Sequence, residues 1–143
     1  DSAPLSKPKN TTILSSIQLD GTLRYTTFSG GTTVERFKRY LEIDLLPHLN
    51  DNSVLIMDNM KSHYAKAVKN LLDSSGVRYI YLPPYSPDLN PIEKLWSKVK
   101  AFLRKFKART LDALPNAIQN AFHAVTVSDC SGWFRFCGYA LLF

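Results

Sequence analysis

Two short apolar runs, Ser53 to Met57 and Val77 to Leu82, constrain this 143-residue chain more than any other feature. A near-continuous apolar stretch of this length is the pattern of a strand buried on both faces. Between them, Lys61 to Ser74 carries Ala65, Val68, Leu71 and Leu72 at helical spacing, and Gly76 stands where a helix terminates. Strand, helix and strand in that order are the heart of an α/β fold.

The flanking segments extend the pattern. Thr11 to Leu19 alternates loosely and is rich in Thr and Ile, as a strand is. Asp20-Gly21 is a two-residue hairpin signal, and Thr22 to Phe28 reads as the returning strand before Gly30-Gly31. Thr32 or Thr33 can cap a helix with Val34, Phe37, Leu41 and Leu45 on one face, ended by Pro47. Pro83 to Pro91 is a nine-residue loop with four prolines. A long helix follows from Pro91 to about Phe106, another from Leu111 to Val125, and then an aromatic tail, Cys130 to Phe143, expected to pack on the domain. The order predicts an α/β mixed sheet flanked by helices in a single domain over 1–143.

Hydrophobic residues at 45% and charged residues at 21% fit a globular chain. No apolar run approaches the ~18 residues of a membrane span, so a membrane partner is not expected, and the N-terminus lacks a signal-peptide pattern. Cys130 and Cys137 fit neither a redox pair nor a four-ligand zinc set, which points to reduced structural thiols and a cytoplasmic setting. The net charge of +6 is local. Seven of the 18 Lys and Arg residues lie between Lys94 and Arg109 with no acid among them, leaving 11 basic against 12 acidic residues elsewhere. Such a cluster suits a polyanion, although a solvated basic helix face has the same composition.

Two carboxylates bracket the proline loop. Asp58 directly follows the first buried run, and functional groups of α/β sheets gather at the carboxyl ends of strands. A turn aspartate that caps the next helix is the ordinary alternative. Glu93 enters at the third helical position after Asn90 and Pro91, so it can close a capping box with Asn90 or bind metal. Helix geometry adds a distinction. Ile92, Leu95, Trp96, Val99, Phe102, Leu103 and Phe106 form an apolar arc, while Glu93, Ser97, Lys100, Arg104 and Lys107 form a separate stripe. Glu93 therefore heads a line of cations able to grip phosphates. The prolines stiffen the approach to Glu93, as metal sites require. Tyr85 can stack on a base or cover the core, and His63 can contact phosphate or serve as a polar helix-start residue.

The run Leu55-Ile56-Met57-Asp58-Asn59 with His63, the loop Leu82-Pro83-Pro84-Tyr85-Ser86-Pro87-Asp88-Leu89-Asn90-Pro91-Ile92-Glu93, and the following Leu95-Trp96 resemble DDE-type transposases of the mariner-like superfamily. The likeness is greatest to the bacterial insertion-sequence branch, whose tail Gly132-Trp133-Phe134-Arg135-Phe136-Cys137-Gly138-Tyr139 is also similar. The 34 residues between Asp58 and Glu93 match that group's acid spacing. The resemblance implies a ribonuclease H-like fold and a two-metal site for Mg²⁺ or Mn²⁺, with Asp58 and Glu93 as the second and third acids. It implies DNA as partner, both transposon ends and target, with Asn59, His63, Tyr85, Ser97, Lys100, Arg104 and Lys107 as contacts. A homodimer and a bacterial, nucleoid-associated location are further expectations.

The family's first aspartate belongs to a strand ahead of Thr11 to Leu19. Neither Asp1, in a polar stretch, nor Asp20, in a turn, resembles it. The chain is therefore expected to be N-terminally incomplete, lacking its first strand and a helix-turn-helix segment, as one frame of an element joined by frameshifting or as a truncated copy. Three functions compete: a transposase catalytic domain, a non-catalytic nucleic-acid-binding remnant, and a ribonuclease H-like nuclease of other purpose. The proline loop argues against the third.

Overall fold

The computed structural model describes residues 11–105 and 114–139. Strands β1 (Thr11–Ile17) and β2 (Leu23–Ser29) pair with each other, as do β3 (Val54–Met57) and β4 (Arg78–Tyr81). Helix α1 spans Val34–Arg39, α2 Lys61–Tyr64, α3 Lys66–Ser75, α4 Ile92–Lys105, α5 Leu114–His123 and α6 Val127–Phe136. The expected single mixed sheet is thus, among the described residues, two pairs of strands. No described helix is long and apolar enough to cross a membrane.

The contacts divide the chain into two compact units. One gathers Arg24–Leu55 and Asn59–Ile80 with the start of β1. Its core is Phe37, Tyr40, Leu41, Leu45, Val68, Leu72 and Val77, with α1 packed on α3. Thr33 caps α1 by accepting from the Arg36 amide at 3.2 Å, which decides between the two threonines. Beyond Arg39 the helix widens into a π turn, Tyr40–Leu45, and closes in a 3₁₀ turn, Leu46–His48, that holds Pro47. The Tyr40 hydroxyl donates to the Arg24 carbonyl at 3.1 Å, so this buried ring satisfies its polar end on β2. The predicted helix from Lys61 to Ser74 is interrupted at Ala65, whose backbone is extended. No proline or glycine in the sequence marks that break. Gly76 ends α3 in the left-handed conformation, as its position implied.

The other unit gathers Ser16–Leu23, Ile56–Asp58 and the chain from Tyr81 onward. The chain turns where Asp20-Gly21 marks it, but through a three-residue loop, Leu19 to Gly21, instead of the expected two-residue one. Gln18 N donates to Thr22 O at 3.0 Å, Gly21 takes φ +94°, and Asp20 Oδ1 accepts from Thr22 N at 2.9 Å. That bond to the Thr22 amide holds the Asp20 carboxyl below the usual carboxylate range. The core joins Met57, Leu82, Leu95, Val99, Ile118, Ala121, Phe122, Cys130 and Cys137, with α4 packed against α5 and α6. Full burial of a side chain such as Leu95 contributes about 2 kcal/mol. Trp96 meets Phe122 edge-on, ring centroids 6.5 Å apart.

The tail differs from a merely packed aromatic segment. It is helix α6, opened by a capping box in which Thr126 Oγ1 accepts from Asp129 N at 2.9 Å and Asp129 Oδ2 accepts from Thr126 N at 3.0 Å. Its third position holds Asp rather than Glu or Gln, which hid the start signal. Both cysteines are free and buried, and burial pushes their thiols above the ordinary range.

Candidate active site

Pairing of β3 with β4 brings the ends of the two predicted buried runs together. Leu82 N donates to Met57 O at 2.8 Å, so the start of the proline loop is tied to the residue before Asp58. Asp58 itself is half-buried just beyond β3. Pro87–Leu89 forms a 3₁₀ turn within the loop, with Leu89 N on Ser86 O and Asn90 N on Pro87 O, both at 3.1 Å. The far side is clamped from the tail, where the Tyr139 hydroxyl donates to Leu89 O at 2.6 Å. Backbone bonds at both ends and three prolines between them leave the loop little freedom. Sequence reasoning missed Tyr139. Its only signal was membership of the aromatic tail.

The bond from Asn90 N to Pro87 O bears on one of the two readings of Glu93, the capping box. A capping box requires that amide for the Glu93 carboxylate, and it is occupied. Asn90, buried, uses its side chain instead, accepting from Ile92 N at 3.4 Å. Glu93 is exposed in the first turn of α4, where the helix dipole favours a negative charge.

Behind it the stripe is real in three dimensions. Ser97, Lys100 and Arg104 are exposed as well, while Leu95 and Val99 on the opposite side are buried. Ser97 Oγ donates to Glu93 O at 3.2 Å, a local bond back along the helix. Two cations off the stripe have other duties. Lys94 lies 4.0 Å over the Phe136 ring, and Lys98 pairs with Asp129. Lys107 lies outside the described residues.

Asp58, Tyr85, Glu93, Ser97, Lys100 and Arg104 therefore share one unit, and Asn59 and His63 belong to the other. His63 does not stand open at a helix start: its half-buried ring stacks on Phe37, centroids 4.1 Å apart and 24° between planes. Tyr85 is fully exposed, which removes core cover from its two readings. Among the described residues no group of three or more His, Cys, Asp or Glu side chains is arranged to hold a metal ion.

Residues 3–115 match the family described as DDE superfamily endonuclease. This chain belongs to that family. The Tc1 transposase of Caenorhabditis elegans is 32% identical over 83 residues, which are 58% of this chain and 30% of that protein. The Tcb2 transposase of Caenorhabditis briggsae is 32% identical over 75 residues, 52% of this chain and 28% of that protein. The matched part of the chain thus spans less than a third of these curated relatives. Among solved structures, the catalytic domain of Mos1 mariner transposase superposes with a TM-score of 0.76 at 19% identity, over 93% of this chain and 71% of that one. The Mos1 catalytic domain with Raltegravir and Mn gives 0.73 at 20%, over 89% and 70%. The Mos1 paired-end complex with the left transposon end gives 0.72 at 20%, over 94% and 42%. At these identities the likeness is one of fold, the ribonuclease H-like α/β architecture expected from the motifs.

Proposed function

We propose that this DDE domain cuts DNA strands at transposon ends and joins the freed 3′-hydroxyl to target DNA, with Asp58 and Glu93 as two of its metal-holding acids. The observation that carries the reading is the liberated Glu93, exposed at the head of a cationic stripe with the Asn90 amide already taken by Pro87 O. The donor set fits the ion. Carboxylate oxygens suit Mg²⁺ or Mn²⁺, and Mg²⁺ commonly binds one or two carboxylates together with substrate phosphate. Bound there, divalent ions supply Lewis acidity and charge stabilisation at the attacking and leaving oxygens.

The chain's own residues do the positioning. Asp58 is set by the β3–β4 pairing and Glu93 by the clamped loop, so the spacing of the two acids rests on rigid elements. Lys100 and Arg104, extended by Lys107, bind the strand through its phosphates, and Ser97 adds a neutral contact. Asn59 and His63 are DNA contacts on the same reading, and the His63 ring is stacked on Phe37. The third carboxylate comes from an upstream transposase segment joined by frameshifting, and the working assembly is a homodimer. The Mos1 complex with a transposon end supports DNA as the partner.

Cleavage of a transposon-end duplex with Mg²⁺ or Mn²⁺, measured with the chain joined to that upstream segment, tests the reading. Cutting that disappears in Asp58→Ala and in Glu93→Ala is the expected result. A second reading, a DNA-binding remnant, draws on the lack of a three-residue metal group among the described residues. Intact DNA binding with no cleavage at any Mn²⁺ concentration would establish it instead.

A further inference from the structure

Tyr85 is the one non-glycine residue among those described with a positive φ, 58°, and its side chain is as exposed as in an extended peptide, at 101%. Neither fact suits a tyrosine on structural grounds. The left-handed backbone is strained for a bulky side chain, and Gly or Asn would adopt it at less cost. The exposed ring recovers nothing by burial. Backbone strain kept at one position by a well-determined surround is a pointer to function.

The surround here is well determined. Pro83, Pro84 and Pro87 flank the residue, Leu82 N is bonded to Met57 O, and Tyr139 holds Leu89. The ring is thus presented from a braced loop rather than from a slack tip. Eight residues later the chain reaches Glu93 and the exposed cations Lys100 and Arg104.

We infer that Tyr85 is a stacking platform for an unpaired nucleobase of a DNA strand whose phosphates lie along α4. The inference rests on the DNA reading above and deepens it. Every base offers a π-face, so stacking needs no particular sequence. A ring projecting from a loop can meet such a face only where the base is open, at a strand end or a separated step. Presentation from a rigid loop lowers the ordering cost of the contact. The exposed cations on the same unit favour a polyanion over an apolar protein surface as the occupant.

The test uses the full chain with a single-stranded oligonucleotide carrying 2-aminopurine and with a fully paired duplex of the same sequence. Binding of the wild type should quench the 2-aminopurine fluorescence. Tyr85→Ala should abolish the quenching and weaken single-strand binding by about tenfold, with duplex affinity unaltered. Tyr85→Trp should restore both. Tyr85→Gly should raise the melting temperature while losing the quenching, so strain relief and ligand loss are read separately. Undiminished quenching and single-strand affinity in Tyr85→Ala, in a chain whose duplex binding still depends on Lys100 and Arg104, overturns the stacking role alone. Absence of binding to either oligonucleotide by the wild type overturns the DNA reading, and the stacking role with it. Loss of self-association in Tyr85→Ala, with DNA binding intact, makes the residue a contact between copies and also overturns the inference.

Discussion

Lys98, in the middle of α4, pairs with the carboxylate of Asp129 in the first turn of α6, and the same carboxylate closes that helix's capping box. One acid thus joins the helix that carries Glu93 to the helix that leads to Tyr139. The Lys98 hydrogen bond is the chief reason the Asp129 carboxyl lies below the ordinary value of 3.8, with the Thr126 amide second. A depressed carboxylate contributes its full stability above the unfolded pKa and loses it as pH falls through the folded one. Acid titration of the native chain should therefore show stability lost below about pH 4. Asp129→Asn should flatten that part of the profile and cost roughly 1 kcal/mol at neutral pH, as read by urea unfolding.

Gly21→Ala is expected to be one of the costlier single-methyl additions. A Cβ there would lie 2.7 Å from Val127 Cγ2 and 3.1 Å from Val127 Cα, on a backbone with φ +94°. Left-handed strain and overpacking together suggest a loss of about 2–4 kcal/mol. In the Gly21→Ala, Val127→Ala double variant, part of the loss should return, because the steric share is relieved and the backbone share is not. A midpoint no lower in Gly21→Ala than in wild type would contradict the packing of this turn against α6.

The cations of α4 should separate into two kinds. Lys100→Ala and Arg104→Ala should each reduce the slope of log affinity for duplex DNA against log salt by about 1, with little change in melting temperature. Lys98→Ala should do the reverse, lowering stability through Asp129 while leaving the slope nearly unchanged. Equal slopes for all three variants would show that the exposed stripe is not the phosphate-binding face.

Tyr139→Phe removes the hydroxyl that holds Leu89 O and nothing else. A loss near 1 kcal/mol in unfolding free energy is expected. Protease sensitivity within the proline loop should rise more than global stability falls, because the loop loses its tail-side anchor. If limited proteolysis finds the loop unaltered, the backbone bonds and prolines suffice to hold it.

Much of the fold and part of the site were readable from residue order. The spacing of Val68 and Leu72 marked the helix before β4, Asp20-Gly21 marked the hairpin, and Gly76 marked a helix end. The stripe Glu93, Ser97, Lys100 and Arg104 followed from helical periodicity and is exposed as a row. The break at Ala65 and the start of α6 were not readable, the first because no proline or glycine marks it, the second because Asp stands where the capping signature has Glu or Gln.

By itself, then, the sequence determined those features that arise between residues a few positions apart: periodic faces, turn chemistry, the stiff loop and the acids on either side of it. Tertiary structure alone decided which groups remain available. Lys98 is withdrawn by Asp129, 31 residues away; Leu89 is held by Tyr139, 50 residues away; and Tyr85 is left outside every core. Even the freedom of Glu93, a local matter in sequence, depended on the loop folding so that Pro87 took the Asn90 amide first. The physical reason is competition. Each donor and charge has several partners within chemical reach, and only the packed chain brings one of them close enough to win.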